Sequence, residues 1–539
     1  MTVPPPDKQP VPPSAPQSGT DTEPRKGRRK RDMSGIARSG APGQNPHLEV
    51  PYITRGIATY DLLDDGALER IEATAERIMA EIGIEFREDP EAVRLFREAG
   101  AQVTDLTADS WNLKFAPGMI RELLKTAPAR FTQHARNPAN TVEIGGDAMV
   151  FAPSYGSPFV MDLDKGRRYG TIEDFRNLIK LGQSSPWLHH SGGTICEPTD
   201  IAVNKRHLDM VYSHIKYSDR AFLGSITAPE RAEDSIAMAR LVFGDDFVDR
   251  NCVIMGNFNT TSPLVLDGVT TAGIRAYAAA GQGSIHLPFL LGGAVSPLTM
   301  AGSVAQCLAE SMVSCALTQL VRPGAPAILA GFLSSMSLRS GSPTFGTSEP
   351  ALGSLVMGQL ARRLNMPLRC AGNFSTSKLP DAQAMQQSMM SMMSAVQGGA
   401  NYILHCAGFL DGLLSMSYEK FVLDTDLCGM MHAYLKGIEV NEDTLGFEAL
   451  AEKGPGEHLF GTQHTLRHYK TAYYDSALDD NQPWETWDEQ GGIDAATRAN
   501  ARWKQVLASY EAPPLDAAID EALQDFMARK KASMADAWY

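Results

Sequence analysis

The sequence is poor in cysteine and has no long apolar run, and both shortages limit its class. Seven cysteines in 539 residues form no C-x-x-C pair, so we expect reduced, mostly buried thiols. No uncharged apolar run reaches the roughly 18 residues of a membrane span. The first residues also lack the apolar stretch of a signal peptide. The sequence therefore predicts a cytoplasmic protein without a membrane segment.

Positive charge is also in short supply. The chain has 49 basic and 63 acidic residues and a formal net charge of −14. Nucleic-acid binding needs a basic surface, so we expect no nucleic-acid partner, whereas a negative mean field attracts small cations. Hydrophobic residues make up 43% and charged residues 21%, which is ordinary for a globular protein and excludes a wholly disordered or collagen-like chain.

Sequence signatures of several common reactions are missing. The first predicted strand is not followed by G-x-G-x-x-G, and no G-x-x-x-x-G-K-[ST] occurs, so neither phosphate-binding loop is predicted. No G-x-S-x-G nucleophile elbow lies at a strand-to-helix turn. His464 and His468 share a helical face, but no glutamate follows His464, so the H-E-x-x-H zinc pattern is absent. We therefore predict no bound metal.

The first 148 residues divide into a tail and a helical section. Residues 1–50 are rich in proline and contain the basic run Arg25–Arg31, which predicts a disordered tail. Helical spacing of apolar residues begins at Asp64, and further helices follow Asp89 and Pro117, so residues 51–148 are predicted as a helical N-terminal section. A hairpin with its turn at 144–147 is predicted within 140–153.

Residues 149–436 alternate between short apolar runs and amphipathic stretches. Strands are predicted at 149–152, 189–195, 221–226, 253–257, 286–291, 327–332, 368–373 and 402–407. A helix follows each strand, which favours an α/β fold of the closed (β/α)8 TIM-barrel type. A doubly wound open sheet is the alternative, but it usually carries the glycine-rich fingerprint that is missing here. Residues 437–539 form a predicted helical C-terminal section, which suggests subunit contacts and a homo-oligomer.

In a barrel of this kind the functional site lies at the carboxyl ends of the strands. Aromatic, amide and hydroxyl side chains are frequent there, while strong bases are few. Aromatic faces with a carboxylate suit a quaternary or protonated amine. Glu349 also suits the first turn of a helix, where the helix dipole favours a carboxylate. The candidate substrate-binding residues are Tyr155, Asn257, Phe332, Glu349, Asn373, Phe374, Lys378, His405, Phe409 and Asp411, and no residue is assigned as catalytic.

Several distinctive motifs lie between residue 60 and residue 510. They include GTSEP at 346–350, QLARR at 359–363, STSKLPDAQ at 375–383, HCAGFLDG at 405–412 and GPGEHLFG at 454–461. Together these motifs resemble the trimethylamine methyltransferase family. The resemblance implies a (β/α)8 barrel that moves a methyl group from an amine to the cobalt of a corrinoid held by a separate partner protein. It implies no tightly bound cofactor in this chain.

The trimethylamine enzymes of methanogens carry pyrrolysine, a position that we place between Gly372 and Lys378. This sequence has only standard residues there, as in family members that resemble demethylases of glycine betaine and other quaternary amines. A quaternary ammonium departs as a neutral amine and needs no acid. We therefore favour a glycine betaine-like substrate, with Lys378, Asn373 and His405 converging on its carboxylate. The alternatives are trimethylamine or another methylated amine, a diverged barrel enzyme, and a betaine-binding protein without catalysis.

Overall fold

A parallel β-sheet flanked by helices lies at the centre of the structure, a computed structural model that describes residues 53–538. The tail predicted over residues 1–50 lies outside the described residues.

The N-terminal section mixes helices with strands. Its elements are β1 (Ile53–Thr54), α1 (Asp65–Arg77), β2 (Ile84–Arg87), α2 (Pro90–Glu98), β3 (Gln102–Thr107), β4 (Ser110–Lys114), α3 (Met119–Leu124), β5 (Arg130–Gln133), β6 (Val142–Gly145) and β7 (Ala148–Phe151).

Asp64 and Asp89 cap α1 and α2 by accepting backbone N–H groups. The expected hairpin is β6–β7, which pair through Gly145 and Ala148. Besides the predicted helices and hairpin, this section contains an antiparallel sheet of β2, β3 and β4 that was not predicted. Strand β3 is polar and mostly exposed, so it gave no apolar pattern.

The alternating region follows, from residue 159 to residue 435. Its first half contains β8 (Phe159–Asp162), β9 (Gly166–Tyr169), α4 (Ile172–Gln183), α5 (Arg206–Tyr217), β10 (Phe222–Leu223), α6 (Pro229–Phe243), α7 (Asp245–Val248), β11 (Ile254–Thr260), β12 (Val265–Leu266) and α8 (Gly268–Ala279). Its second half contains β13 (Gly283–Leu291), α9 (Met300–Val321), β14 (Ala327–Ala330), β15 (Phe332–Met336), β16 (Pro343–Thr344), α10 (Ser348–Arg363), β17 (Leu368–Ala371), α11 (Ala382–Gly398), β18 (Tyr402–Leu404), β19 (Phe409–Leu410), β20 (Ser415–Ser417) and α12 (Tyr418–Leu435).

The helices predicted in this region lie at 171–182, 204–217, 228–243, 267–280, 300–321, 348–364, 381–397 and 418–435. They match α4, α5, α6 and α8–α12 within two residues at either end. Local signals fix several of these starts. Thr171 and Asp174 form a capping box at α4, and Asp267 and Asp381 cap α8 and α11. The small sheet β19-β20-β8-β9 was not predicted.

The central strands are parallel and follow one another in a continuous hydrogen-bonded series. The order is β10-β11-β13-β14-β17-β18-β7. The predicted strand 189–195 is reduced to a bridge between His190 and Ala221, which joins it to the segment before β10. On its other side the His189 N–H donates to the Phe151 carbonyl over 3.0 Å. The segment 189–190 therefore links β7, at one end of the series, to residue 221 before β10, at the other end.

The strands pack differently on their two faces. The outer face packs against the helices, and the inner face forms a separate apolar cluster that includes Val150, Leu223, Met255, Ile285, Ile328, Ala330, Tyr402 and Leu404. Helix α9 is the one helix among residues 53–538 that is long and apolar enough to cross a membrane, and 89% of its most apolar window is buried. It is therefore a core helix of this fold. All seven cysteines are free and buried, which confirms the expected buried thiols.

The C-terminal section is helical and packs on the outside of the alternating region. Its helices are α13 (Glu442–Leu445), α14 (Phe447–Lys453), α15 (Gln463–His468), α16 (Trp484–Glu489), α17 (Ala495–Ala508) and α18 (Ala517–Ala532). Helix α17 lies on α12, where the Trp503 indole N–H donates to the Glu419 carboxylate over 2.9 Å. Helix α18 lies on α5 and α6, where Lys530 pairs with Asp234 at 2.6 Å.

Several histidines are buried in a neutral state. Burial lowers the pKa of His214 and His432 to about 4 and that of His286 to about 3. Burial also holds the pKa values of His190 and His405 well below the ordinary value, with smaller contributions from nearby positive charge. In the unfolded chain each of these rings takes up a proton near pH 6.5.

Stability is therefore expected to fall steeply in mild acid. Below about pH 6.5 the unfolded chain binds more protons than the folded chain, so each buried histidine removes about 1.4 kcal/mol of stability per pH unit until its folded pKa is reached. The melting temperature should drop sharply between pH 6.5 and pH 4.5. The control is His432→Phe, because the His432 ring stacks on His189 at 5.0 Å and phenylalanine keeps the stacking without the proton. This variant should take up one proton fewer on unfolding, and a melting temperature that stays flat down to pH 5 would contradict the prediction.

Candidate active site

Six ring side chains pack together where the central strands end, and we call them the aromatic cluster. They are Phe289, Phe332, Phe345, Phe374, His405 and Phe409. Phe374 lies at the centre, with its ring centroid 4.9 Å from those of Phe332 and His405 and 4.8 Å from that of Phe409. The sequence predicted these four residues as site residues. It missed Phe289 on β13, and Phe345, which lies in the loop after β16 next to the GTSEP motif.

Hydrogen bonds between two strand ends hold the centre of the cluster. The Asn373 backbone N–H donates to the His405 carbonyl over 2.8 Å, and its side-chain Nδ2 donates to the Cys406 carbonyl over 2.6 Å. His405 has a φ of +66°, which is unfavourable for any residue with a Cβ. Asn373 therefore stabilises the strained turn that carries His405, and it acts on the site through the backbone.

A buried ion pair supports the same two strand ends from behind. The Lys420 ammonium lies 2.7 Å from the Asp424 carboxylate, and both side chains are fully buried on α12. Lys420 also donates to the Asn373 carbonyl at 3.2 Å, and Asp424 accepts the Gly408 N–H at 2.8 Å. Burial raises the pKa of Asp424 to about 6 and lowers that of Lys420. One ion pair thus ties α12 to the turns that carry Phe374 and Phe409.

His405 and Tyr155 are neutral groups at the edge of the cluster. The Tyr155 backbone N–H donates to His405 Nδ1 over 3.3 Å, so the ring proton lies on Nε2. Burial lowers the pKa of His405 well below its usual value and raises the pKa of Tyr155 to about 12. Neither group supplies a charge or a ready proton at neutral pH. The Tyr155 ring packs against the inner apolar cluster.

Arg369 is a charged residue in this region that the sequence analysis missed. It lies on β17, is fully buried, and none of its three guanidinium nitrogens has a hydrogen-bond partner among the described residues. Its Cζ lies 5.5 Å from the centroid of the Phe332 ring. Burial lowers its pKa to about 10, so the side chain remains a cation at neutral pH.

Three predicted site residues lie at the rim, where Lys378 and Glu349 are exposed and Asp411 is partly buried. Lys378 is 73% exposed, donates to the Thr376 carbonyl over 2.7 Å, and lies 3.6 Å from Asp411. Asp411 also pairs with Arg167 at 3.3 Å. Glu349 is exposed in the first turn of α10. The expected convergence of Lys378 with Asn373 and His405 is therefore not what the contacts show, because Lys378 is held by its own loop and Asn373 by backbone.

Asn257 faces the inner side of the sheet. It is buried on β11, two residues after the inner residue Met255, and its Oδ1 has no hydrogen-bond partner within residues 53–538. The next residue, Phe258, faces the opposite way and packs against Tyr277 at 5.6 Å and against Gly273 of α8. Alternation along the strand thus places the amide on the inner face of the sheet and the phenyl ring in the helical layer.

A small cavity lies beside the aromatic cluster. It measures about 20 Å³ and is lined by Phe332, Phe345 and Phe374 together with residues of α10 and α11 such as Ser354 and Ser391. This volume is enough for a single water molecule, and the cavity lies between the strand ends and these two helices. Phe345 is carried by the loop between β15 and α10, whose residue Leu338 is 80% exposed.

The arrangement favours binding of a cation over acid–base catalysis. Ring faces attract cations, and His405 and Tyr155 are neutral. Within residues 53–538 there is no group of three or more His, Cys, Asp or Glu side chains arranged to hold a metal ion.

The ion pair behind the site gives a testable consequence. Asp424→Asn leaves the Lys420 ammonium buried without a counter-charge, and such changes typically cost about 3–5 kcal/mol. We expect a large drop in melting temperature by calorimetry, and a loss of ordered near-ultraviolet signal from the aromatic cluster.

The matched control for this change is Lys504→Ala, which removes a half-exposed pair with Asp164. It should cost less than about 1 kcal/mol. Equal losses in the two variants would contradict the supporting role of Asp424.

Comparison with known proteins gives a consistent assignment. The model of the trimethylamine methyltransferase (MTTB) family matches residues 25–535. The chain is 39% identical over 475 residues to glycine betaine methyltransferase of Desulfitobacterium hafniense strain Y51, a match that covers 88% of this chain and 98% of that protein. It is 26% identical over 493 residues to trimethylamine methyltransferase MttB of Methanosarcina barkeri strain Fusaro, covering 86% and 94%.

Among solved structures, monomethylamine methyltransferase (MtmB) of Methanosarcina barkeri matches with a TM-score of 0.45 and 10% identity, over 87% of this chain and 96% of that one. The family match spans nearly the whole chain and agrees with the motifs at 346–350 and 405–412. The chain therefore belongs to the trimethylamine methyltransferase family, and it is a methyltransferase.

Proposed function

We propose that this protein transfers a methyl group from a quaternary amine of the glycine betaine class to the Co(I) of a corrinoid held by a separate protein. The observation that carries the proposal is the buried aromatic cluster around Phe374 at the carboxyl ends of the strands. The higher identity to a glycine betaine methyltransferase than to trimethylamine enzymes supports the choice of substrate.

We infer that the central sheet is a closed (β/α)8 barrel. The support is the hydrogen-bonded series that runs from β10 to β18 and β7 and then through residues 189–192 back to residue 221. Active sites of such barrels lie at the carboxyl ends of the strands, which is where the aromatic cluster lies. The barrel mouth is then the face on which the corrinoid protein docks.

The reaction needs little proton chemistry from the protein. The Co(I) electron pair forms the new cobalt–carbon bond, the carbon–nitrogen bond breaks, and its electron pair stays on nitrogen. The amine leaves neutral, so no acid is required. Neutral His405 and Tyr155 fit this requirement. A trimethylamine substrate would need activation first, and residues 373–377 contain only standard side chains.

The cluster acts by positioning. Rings of Phe332, Phe374 and Phe409 would surround the trimethylammonium group and leave one methyl directed at the cobalt, and orientation of this kind is a large source of acceleration. Tyr155, Asn257 and His405 would line the same space. We place Glu349, Lys378 and Asp411 at the rim and outside the substrate contacts, because they are exposed or paired with one another.

Methyl transfer to Co(I) tests the proposed reaction. Purified protein with reduced cobalamin and glycine betaine should give the absorbance of methyl-cobalt, while trimethylamine should react far more slowly. Phe374→Leu removes a ring contact worth ~0.5–2 kcal/mol, so kcat/KM should fall roughly 2- to 30-fold.

Phe258→Leu is the control, since that ring lies in the helical layer, and its activity should match that of the unaltered protein. If glycine betaine and other quaternary amines give no methyl-cobalt, the betaine-binding alternative gains support. Rapid reaction of trimethylamine would instead favour the trimethylamine alternative.

We also propose that the protein works as a homo-oligomer in the reducing cytoplasm, where Co(I) survives. Exposed apolar side chains concentrate in residues 438–473, including Ile438 at 91%, Phe460 at 81% and Tyr473 at 87% exposure. Patches of this kind are uncommon on monomers, and symmetric self-association is the commonest way to cover them. Light scattering should show more than one chain per particle, and Phe460→Glu should lower that number. A monomer at micromolar concentration would contradict this proposal.

A further inference from the structure

Arg369 stands out because the fold gives its charge no partner. Its guanidinium is fully buried, and neither a carboxylate nor a carbonyl among the described residues accepts from it. Ionised groups in protein interiors are normally paired, because an unpaired buried charge is costly. A guanidinium that is retained without a partner indicates that an anion occupies the site during function.

The same chain shows what a structural buried arginine looks like. Arg220 is also almost fully buried, but it donates to the carbonyls of Gly182, Gln183 and Ser185 over 2.7–2.8 Å. These hydrogen bonds satisfy carbonyls at the C-terminal end of α4, so the guanidinium of Arg220 stabilises the fold there. Arg369 has no equivalent role in holding backbone, so support of the fold does not explain it.

The position of Arg369 directs its charge toward the proposed site. In the register of the sheet it lies between Ala330 of β14 and Tyr402 of β18, both of which belong to the inner apolar cluster. Its Cζ is 5.5 Å from the ring of Phe332, which stacks on Phe374 at 4.9 Å. Since the aromatic cluster lies beyond the strand ends, Arg369 sits beneath it, deeper in the sheet.

Nearby polar groups leave the guanidinium free for a ligand. The Tyr402 hydroxyl lies 3.2 Å from His190 Nδ1 and does not accept from Arg369. The ionisable groups that act on Arg369 in the described chain are Cys370, Tyr402 and Cys406, and none of them is a carboxylate. A ligand with an anionic group would supply the acceptor that these side chains do not.

We propose that Arg369 binds the carboxylate of the substrate and thereby sets its orientation. This inference rests on the proposed function, and it names the group that distinguishes glycine betaine from amines without a carboxylate. The guanidinium fork matches a carboxylate with two parallel hydrogen bonds. With the carboxylate held deep, the trimethylammonium end lies among the rings, and its methyl groups face the mouth where cobalt approaches.

The charge of Arg369 also favours the reaction itself. Repulsion between the guanidinium and the substrate ammonium raises the energy of the bound substrate. This repulsion disappears as the methyl group leaves and the nitrogen becomes neutral, so the interaction is more favourable in the transition state than in the ground state. The favourable contact between the guanidinium and the carboxylate offsets this repulsion in the bound substrate. Lys378, predicted from the sequence for the carboxylate, is exposed at the rim and is replaced in this role by Arg369.

The test compares glycine betaine with tetramethylammonium, which has the same cationic head and no carboxylate. Arg369→Met keeps a long side chain of apolar character, and we expect it to melt at or above the temperature of the unaltered protein, because it removes an unpaired buried charge. Its affinity for glycine betaine by calorimetry, without corrinoid, should fall roughly 10- to 100-fold, as expected for a lost charge-assisted pair. Affinity for tetramethylammonium should stay the same or rise, because removal of the guanidinium relieves its repulsion of the ammonium.

Two further variants sharpen the comparison. Arg369→Lys keeps the charge but not the fork, so its loss on glycine betaine should be intermediate. Arg220→Met is the matched control: it should lower the melting temperature, because three carbonyls lose their donor, without changing the preference between the two ligands.

The outcomes separate the two proposals. Equal losses on both ligands in Arg369→Met, or no loss on glycine betaine, would overturn the carboxylate role. Failure of Arg369→Met to fold would also overturn it, since it would show that the guanidinium supports the fold. If the unaltered protein transfers no methyl group to Co(I) but Arg369→Met still selectively weakens glycine betaine binding, the proposed reaction fails while the assignment of Arg369 stands.

Discussion

The buried pair between Lys420 and Asp424 is the interaction on which the site depends. It joins α12 to the backbone at Asn373 and Gly408, the turns that carry Phe374 and Phe409. A charge pair without solvent access holds only in good geometry. The position of this pair therefore fixes the two turns and, through them, the rings of Phe374 and Phe409. The aromatic cluster owes its position to this support as much as to its own packing, because ring contacts alone are weakly directional.

Low polarity inside the sheet explains the ionisation states around the cluster. The same burial that lowers the pKa of His405 and raises that of Tyr155 leaves both uncharged. Arg369 keeps its charge because a guanidinium is so strongly basic that burial brings its pKa only to about 10. The guanidinium of Arg369 thus places a fixed positive charge beneath neutral rings. This polarity suits a ligand with a negative end and a positive end.

Local sequence patterns predicted much of the fold. Helices α9 and α12 begin and end where the apolar periodicity predicts, and Ser417 caps α12. The alternation of apolar runs with helices located the central strands. Strand β3 was missed because exposed polar residues have no apolar alternation. The segment 189–195 lost most of its pairing to a turn at Gly192, whose φ is +87°. These features depend on tertiary contacts that a single sequence does not display.

The site was harder to predict than the fold. Phe332, Phe374 and Phe409 were found because aromatic residues at strand ends are visible in the sequence. Phe345 was not, since its loop gives no sign of folding back over the cluster. The sequence does contain a signal for Arg369, because this single basic residue between Leu368 and Cys370 interrupts an otherwise apolar strand. Lys378 drew attention because it was basic and nearby in sequence, but exposure at the rim could be learned only from the structure.

The buried cysteines have a consequence for the fate of the methyl group. A thiolate is a strong methyl acceptor and would compete with cobalt for an activated carbon. Burial raises the pKa of Cys370, next to Arg369, to about 12, and that of Cys428, behind the site, well above its usual value. Since the thiolate is the reactive form, both sulfurs remain poor nucleophiles. Both sulfurs also pack in the helical layer outside the central strands. In the proposed reaction they would therefore not compete with cobalt for the methyl group.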